Sequence, residues 1–215
     1  MQILHDGHAV DRLAPRRLDP YAAKHHPTEF LLMLISIVYD SGYGHTAKQA
    51  RAVADGVVQV SDAEARLVPV ADPAIPWDAL EASDAIIFGS PTYNGTVSAR
   101  LKQFMEDSTR TAWVPQKWRN KVAAGFTNSG AMHGDKLHSL ISMALFAAQH
   151  GMLWVGLDLF PGKSSDEQNR IGGWLGAMAQ SNDESPELSP IASDLQTATH
   201  LGRRVAETAR RLQPA

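Results

Sequence analysis

Cysteine is absent from all 215 positions. That removes disulfides, thiol nucleophiles, iron–sulfur ligation and cysteine zinc sites together. Redox chemistry, if any, must therefore sit on a bound cofactor. Long apolar runs are also missing: nothing reaches the roughly 20 residues of a membrane span, and the N-terminus has no apolar signal segment. A cytoplasmic protein without a membrane partner is expected, in which Asn94-Gly95-Thr96 is an idle glycosylation sequon. Charge of one sign is scarce as well. A net charge of −3 offers no basic footprint for nucleic acid and too little acidity for a dedicated electrostatic docking protein, which leaves small molecules as the expected partners. Length and a hydrophobic content of 44% suit one domain with extra loops.

What is present is organised around residues 31–56. Leu31 to Val38 form an apolar, partly β-branched run of the kind found in a parallel strand covered on both faces. The turn Ser41-Gly42-Tyr43-Gly44-His45-Thr46 follows, and a helix opens at Thr46 with Ala47, Ala50, Val53, Ala54 and Val57 on one face. The first N–H groups of such a helix point outward unpaired, so the turn invites an anion. It contains no Lys or Arg. The holding groups are then backbone N–H, the hydroxyls of Ser41 and Thr46, His45, and the helix dipole. A nucleoside-triphosphate loop is excluded, because the only Gly-Lys-Ser, at Gly162, has Leu157 where the upstream glycine must be.

Residues 1–28 show no sustained period and read as a disordered or loosely attached extension to a domain spanning residues 29–215. Met33 is an alternative start. His5, His8, His25 and His26 lack accompanying carboxylates, so no metal site is expected. Further along, strands are predicted at Ala65–Val70, Asp84–Gly89, Lys121–Thr127 and Met152–Leu157, with helices at Trp77–Ala82, around Val97–Met105, at Lys136–Gln149 and at Ile191–Leu212. Residues Gly162–Pro190 read as a long loop serving as lid, interface or disordered segment. Asp135-Lys136 reads as a solvated helix start.

The alternation of strand and helix predicts an α/β fold: a flavodoxin-like doubly wound five-stranded parallel sheet, order 2-1-3-4-5, with helices on both faces. Ligands in such sheets sit outside the carboxyl ends of the strands. Three polar loops converge there. The first offers Ser41, Tyr43, Gly44, His45 and Thr46 to a phosphate. The second (Pro91, Thr92, Tyr93, Asn94, Gly95) and the third (Thr127, Asn128, Ser129, Gly130, His133) flank a flat ring. The convergence suggests a flavin.

The motifs SGYGHT, GSPTYNG and FTNSGAMHGDK resemble those of the flavodoxin-like NAD(P)H:quinone oxidoreductases of the Trp-repressor-binding-protein type, over residues 31–160. That resemblance implies FMN, with its phosphate on the first loop and its isoalloxazine between the other two. It also implies a flavin contact at His150, a substrate-lining aromatic at Trp113, NADH or NADPH as donor, a quinone or similar acceptor, and a homo-oligomer, dimer or tetramer. The chain departs from the pattern at Ala131, Met132 and His133, where relatives carry consecutive glycines. No residue is nominated as catalytic acid, base or nucleophile, since the cofactor does the chemistry. The rival readings are a flavodoxin-type electron carrier and a binding or scaffold protein with a degenerate flavin crevice.

Overall fold

The computed structural model describes residues 32–213; the expected extension and the domain boundary at residue 29 lie outside the described residues. The elements in order are β1 (Met33–Tyr39), α1 (His45–Val57), β2 (Ala63–Pro69), α2 (Trp77–Ala82), β3 (Ala85–Tyr93), β4 (Thr96–Val97) and α3 (Ala99–Ser108). A π-helical turn (Thr109–Trp113) leads to β5 (Val122–Ser129), α4 (Lys136–Gln149), β6 (Leu153–Trp154), β7 (Ala177–Gln180) and α5 (Ala192–Leu212).

Strands β2, β1, β3 and β5 run parallel in that order. Alternation along them divides the core in two. Ile35, Ile37, Ala85, Ile87 and Phe126 face Val53, Val57, Leu201 and Val205 of α1 and α5. Val38, Ile86, Phe88 and Ala123 face Leu80, Leu101, Phe104, Leu140 and Met143 of the other three helices. Helices α1 and α5 touch closely because Gly56 and Gly202 have no side chain: a Cβ on either would land on a carbonyl of the opposite helix.

The expected fold class holds, with two local differences. Strand β3 runs past Gly89 to Tyr93, because Asn94 (φ 47°) and Gly95 (φ 83°) make a two-residue turn that folds β4 back onto it. Positive φ at both central residues suits this turn to the twist of a hairpin. The second difference concerns the fifth strand, expected over Met152–Leu157. Only Leu153-Trp154 pair with the start of β5, at Val122-Ala123. The chain then leaves, Leu157 N–H bonding to Trp174 O, and β7 returns to pair with Phe126–Ser129. Two segments thus share the fifth place, and part of the expected loop is a strand. Gly176 permits the join, since a Cβ there would strike the Gly125 carbonyl.

Candidate functional site

At the carboxyl ends of β1, β3 and β5 lies a cavity of about 700 Å³, lined by Ser41, Gly42, Tyr43, His45 and Thr46, by Pro91, Thr92 and Tyr93, and by Asn128, Ser129 and Gly130. The three expected loops meet there. A fourth wall, Ser181 to Pro186, completes it. That segment lies in the long loop expected as lid, interface or disordered segment; its run of Ser, Asn, Asp, Glu and Pro has turn composition and no period that would assign it to the crevice.

The first loop is built to present backbone donors. Gly44, in the left-handed region at φ 93°, leads into α1. The Ser41 hydroxyl oxygen accepts the N–H groups of Gly44 and Ala47, both at 3.1 Å, so Ser41 ties the turn to the first turn of the helix, and its own O–H stays available as a donor. Among the described residues the N–H groups of Tyr43, His45 and Thr46 have no partner. Three free N–H groups at a helix N-terminus are the cradle an anion requires. The imidazole of His45 is fixed by a 3.0 Å hydrogen bond between Nδ1 and the Ser189 carbonyl. Because the carbonyl can only accept, Nδ1 carries the proton, and Nε2 donates only when the ring is charged. Lys48 ties the same wall down by donating to the carbonyls of Glu187 and Pro190.

The second loop is held by hydroxyls. Thr127 Oγ1 donates to Ser90 O at 2.7 Å and meets Thr92 Oγ1 at 2.8 Å, which in turn meets Ser139 Oγ. Thr127 is fully buried in this chain and does not line the cavity. Tyr93 does; burial raises its phenol above the ordinary value, and Tyr43 and Asp40 add to the rise. Its hydroxyl sits against Gly42, where a Cβ would come within 2.8 Å, so the first two loops touch.

In the third loop Asn128 Oδ1 accepts from Ser181 Oγ at 3.1 Å. His133 points to solvent. Asn94 and Gly95 form the hairpin turn and, like Gly44, Thr127 and His133, do not line the cavity. The reading of Lys136 as solvated is corrected: it is completely buried, and its ammonium donates to Ala131 O at 2.7 Å and Met132 O at 3.0 Å. Burial lowers its pKa to about 8, with Arg170 adding to the fall and Asp194 opposing it.

His150 and Trp113 are placed elsewhere. They line a separate hollow of about 380 Å³ with Ser108, Phe146 and Gln149. The reason is geometric: α4 begins beside the third loop and His150 lies past its other end, roughly 20 Å away at 1.5 Å per residue. There His150 stacks on Trp118 at 4.4 Å, and Nε2 donates to Ser108 Oγ, whose own proton goes to Met105 O. Burial lowers its pKa to about 4, so it is neutral, with Nδ1 unpartnered. Trp113 Nε1 donates to Gln149 O at 2.9 Å. Within one chain neither residue reaches the crevice.

Known proteins resemble this chain over most of its length. Flavodoxin FldP of Pseudomonas aeruginosa is 39% identical over 82% of this chain and 96% of its own length. An NAD(P)H dehydrogenase (quinone) of Archaeoglobus fulgidus is 36% identical over 83% and 98%. The crystal structure of a flavodoxin, WrbA-like protein from Agrobacterium tumefaciens superposes with a TM-score of 0.68 at 39% identity, covering 84% of this chain and 99% of that one. No helix among the described residues is long and apolar enough to cross a membrane. The sequence pattern of the NADPH-dependent FMN reductases matches residues 33–160, and the chain belongs to that family.

Proposed function

We propose that this oxidoreductase uses FMN to pass two electrons from NADH or NADPH to a quinone or similar small acceptor by a ping-pong mechanism in the cytoplasm. The observation that carries the reading is the junction of three unpaired N–H groups at a helix N-terminus with a ring-sized crevice between Tyr93 and Asn128–Gly130. The volume of about 700 Å³ lies within the range of small-molecule sites. FMN, when bound, supplies the hydride chemistry. The chain supplies the rest. Tyr43, His45 and Thr46 hold the phosphate through backbone N–H, and the Ser41 and Thr46 hydroxyls add donors. Tyr93 covers one side of the ring, while Asn128, Ser129 and Gly130 orient the other. The Ser181–Pro186 wall keeps water from the phosphate end.

The same reading includes a homo-oligomer. Leu137, Ile141 and Leu145 form an exposed apolar stripe on α4 beside the hollow of Trp113 and His150. Pairing along that stripe gives these two residues a route to the flavin of a second subunit, which reconciles their separation within one chain with their expected roles.

The second reading, an electron carrier, is favoured by the relative named flavodoxin and by two tyrosines, Tyr43 and Tyr93, at the crevice. Steady-state oxidation of NADH and NADPH by a benzoquinone discriminates between the two. Parallel double-reciprocal lines are expected for the reductase. If neither nucleotide bleaches bound flavin anaerobically while a semiquinone accumulates on reduction, the carrier reading takes its place.

A further inference from the structure

The third loop wraps around a buried cation that no feature of the proposed chemistry uses. Ala131 O and Met132 O both accept from the Lys136 ammonium. Ala131 O also accepts from Ser129 Oγ, and His133 O from the Lys136 backbone N–H. Gly134 (φ 52°) and Asp135 (φ 53°) hold the left-handed backbone that turns the loop back on itself. Charges face Lys136 from three directions. Asp194 comes from α5 and Arg170 from the segment before β7, joined to each other by bonds of 2.8 and 2.7 Å. His133 and Asp135 lie on the loop itself, paired at 3.7 Å and exposed. Arg170 also reaches Met132 Sδ, and Gln180 Nε2 donates to Gly130 O. Two cations against one buried carboxylate leave net positive charge under the loop, whereas the phosphate loop has none and Asp183 and Glu184 line the cavity wall.

We propose that Lys136 is a positioning residue that locks the third loop against the bound flavin and couples flavin binding to one proton. The proposal rests on the reading of the crevice as an FMN site. FMN is an anion, so its arrival favours the charged ammonium. An ammonium anchors two carbonyls more firmly than a neutral amine does. Binding then takes up a proton where free Lys136 has begun to lose its own, and affinity falls as pH rises through about 8.

A purely structural lysine leaves flavin affinity flat with pH and acts on stability alone. Its pKa in the folded chain, about 8, lies below the ordinary 10.5. The unfolded chain therefore holds more protons between those values, and this group's contribution to folding stability increases with pH across that window. Flavin affinity and stability should diverge.

The test is titration of apoprotein with FMN from about pH 6.5 to about pH 9.5, with thermal melts at each pH. For the parent we expect affinity to drop roughly tenfold above about pH 8, the slope of one linked proton. Lys136→Met and Lys136→Gln should bind more weakly and show no inflection there. A flat parent profile overturns the role of Lys136 while leaving the FMN site standing, and it needs no variant to fold. An inflection that persists in both variants also overturns it. A parent that binds no FMN at any pH overturns both this proposal and the reading on which it rests.

Discussion

The loop after β1 and the loop after β5 line one cavity but are held by opposite means. The first has no cation of its own for a ligand and relies on backbone N–H groups organised by one serine hydroxyl. The third rests on buried charge: Lys136 beneath it, and Arg170 paired to Asp194 beside it, with side chains 8% and 1% exposed. An anion cradle needs only a strand, a short turn and a helix, and so it is specified by neighbouring residues. A covering loop needs supports on several elements, and its shape depends on residues far away in sequence.

The sharpest way to break the contrast is at Asp194. Alanine there leaves Arg170 and Lys136 without their buried carboxylate and removes the acceptor of Gln180 N–H. A loss of about 3–5 kcal/mol is expected in urea denaturation, as for other buried pairs stripped of one member. A loss under about 1 kcal/mol would mean that the pair is solvated and the third loop is held some other way.

The first loop should respond in affinity rather than fold. Replacing His45 and Thr46 together by alanine should weaken FMN binding by roughly 1–3 kcal/mol, the worth of hydrogen bonds to a charged group. Unchanged affinity in a titration of apoprotein would mean that neither side chain touches the phosphate and that backbone N–H groups alone hold it. Ser41→Ala is the mildest change. It removes the acceptor of two N–H groups at the start of α1, at a cost of about 0.5–1.5 kcal/mol in stability for each bond. Because Gly44 and Ala47 N–H are then released toward the crevice, the fall in flavin affinity should be smaller than in the double variant. A larger fall would make the Ser41 hydroxyl a direct phosphate ligand first and a tie within the turn second.

This asymmetry also explains what the sequence made legible. Strand–helix alternation, the three loops and the site residues Ser41, Tyr43, His45, Thr46, Tyr93 and Asn128 are local patterns, and the structure brings those residues to one crevice. Helices α2 and α4 appear at their expected bounds. A Gly-Asp-Lys at a helix start has the composition of a solvated turn; only the folded loop shows its carbonyls converging on the Lys136 ammonium. The Asn94-Gly95 hairpin had a readable signal in its Asn-Gly pair. The division of the fifth strand had only a slight one, Gly156 in an otherwise apolar run, where a Cβ would meet the Trp174 carbonyl with which Leu157 N–H pairs.

That division has a consequence for how the molecule assembles and breathes. The edge of β5 near Val122 is closed by β6, which follows α4 almost at once. The edge near Phe126–Ser129 waits for β7, which must return across the whole segment after Leu157. Closing the longer loop carries the greater entropy cost, so this half of the edge is the later to form and the earlier to open. Amide hydrogens of Ala177–Gln180 are therefore expected to exchange with deuterium faster than those of β1 and β3. The wall Ser181 to Pro186, which follows β7 directly, lines the crevice, so bound flavin should slow the exchange of Ala177–Gln180 more than that of the central β1 amides Ile35–Val38.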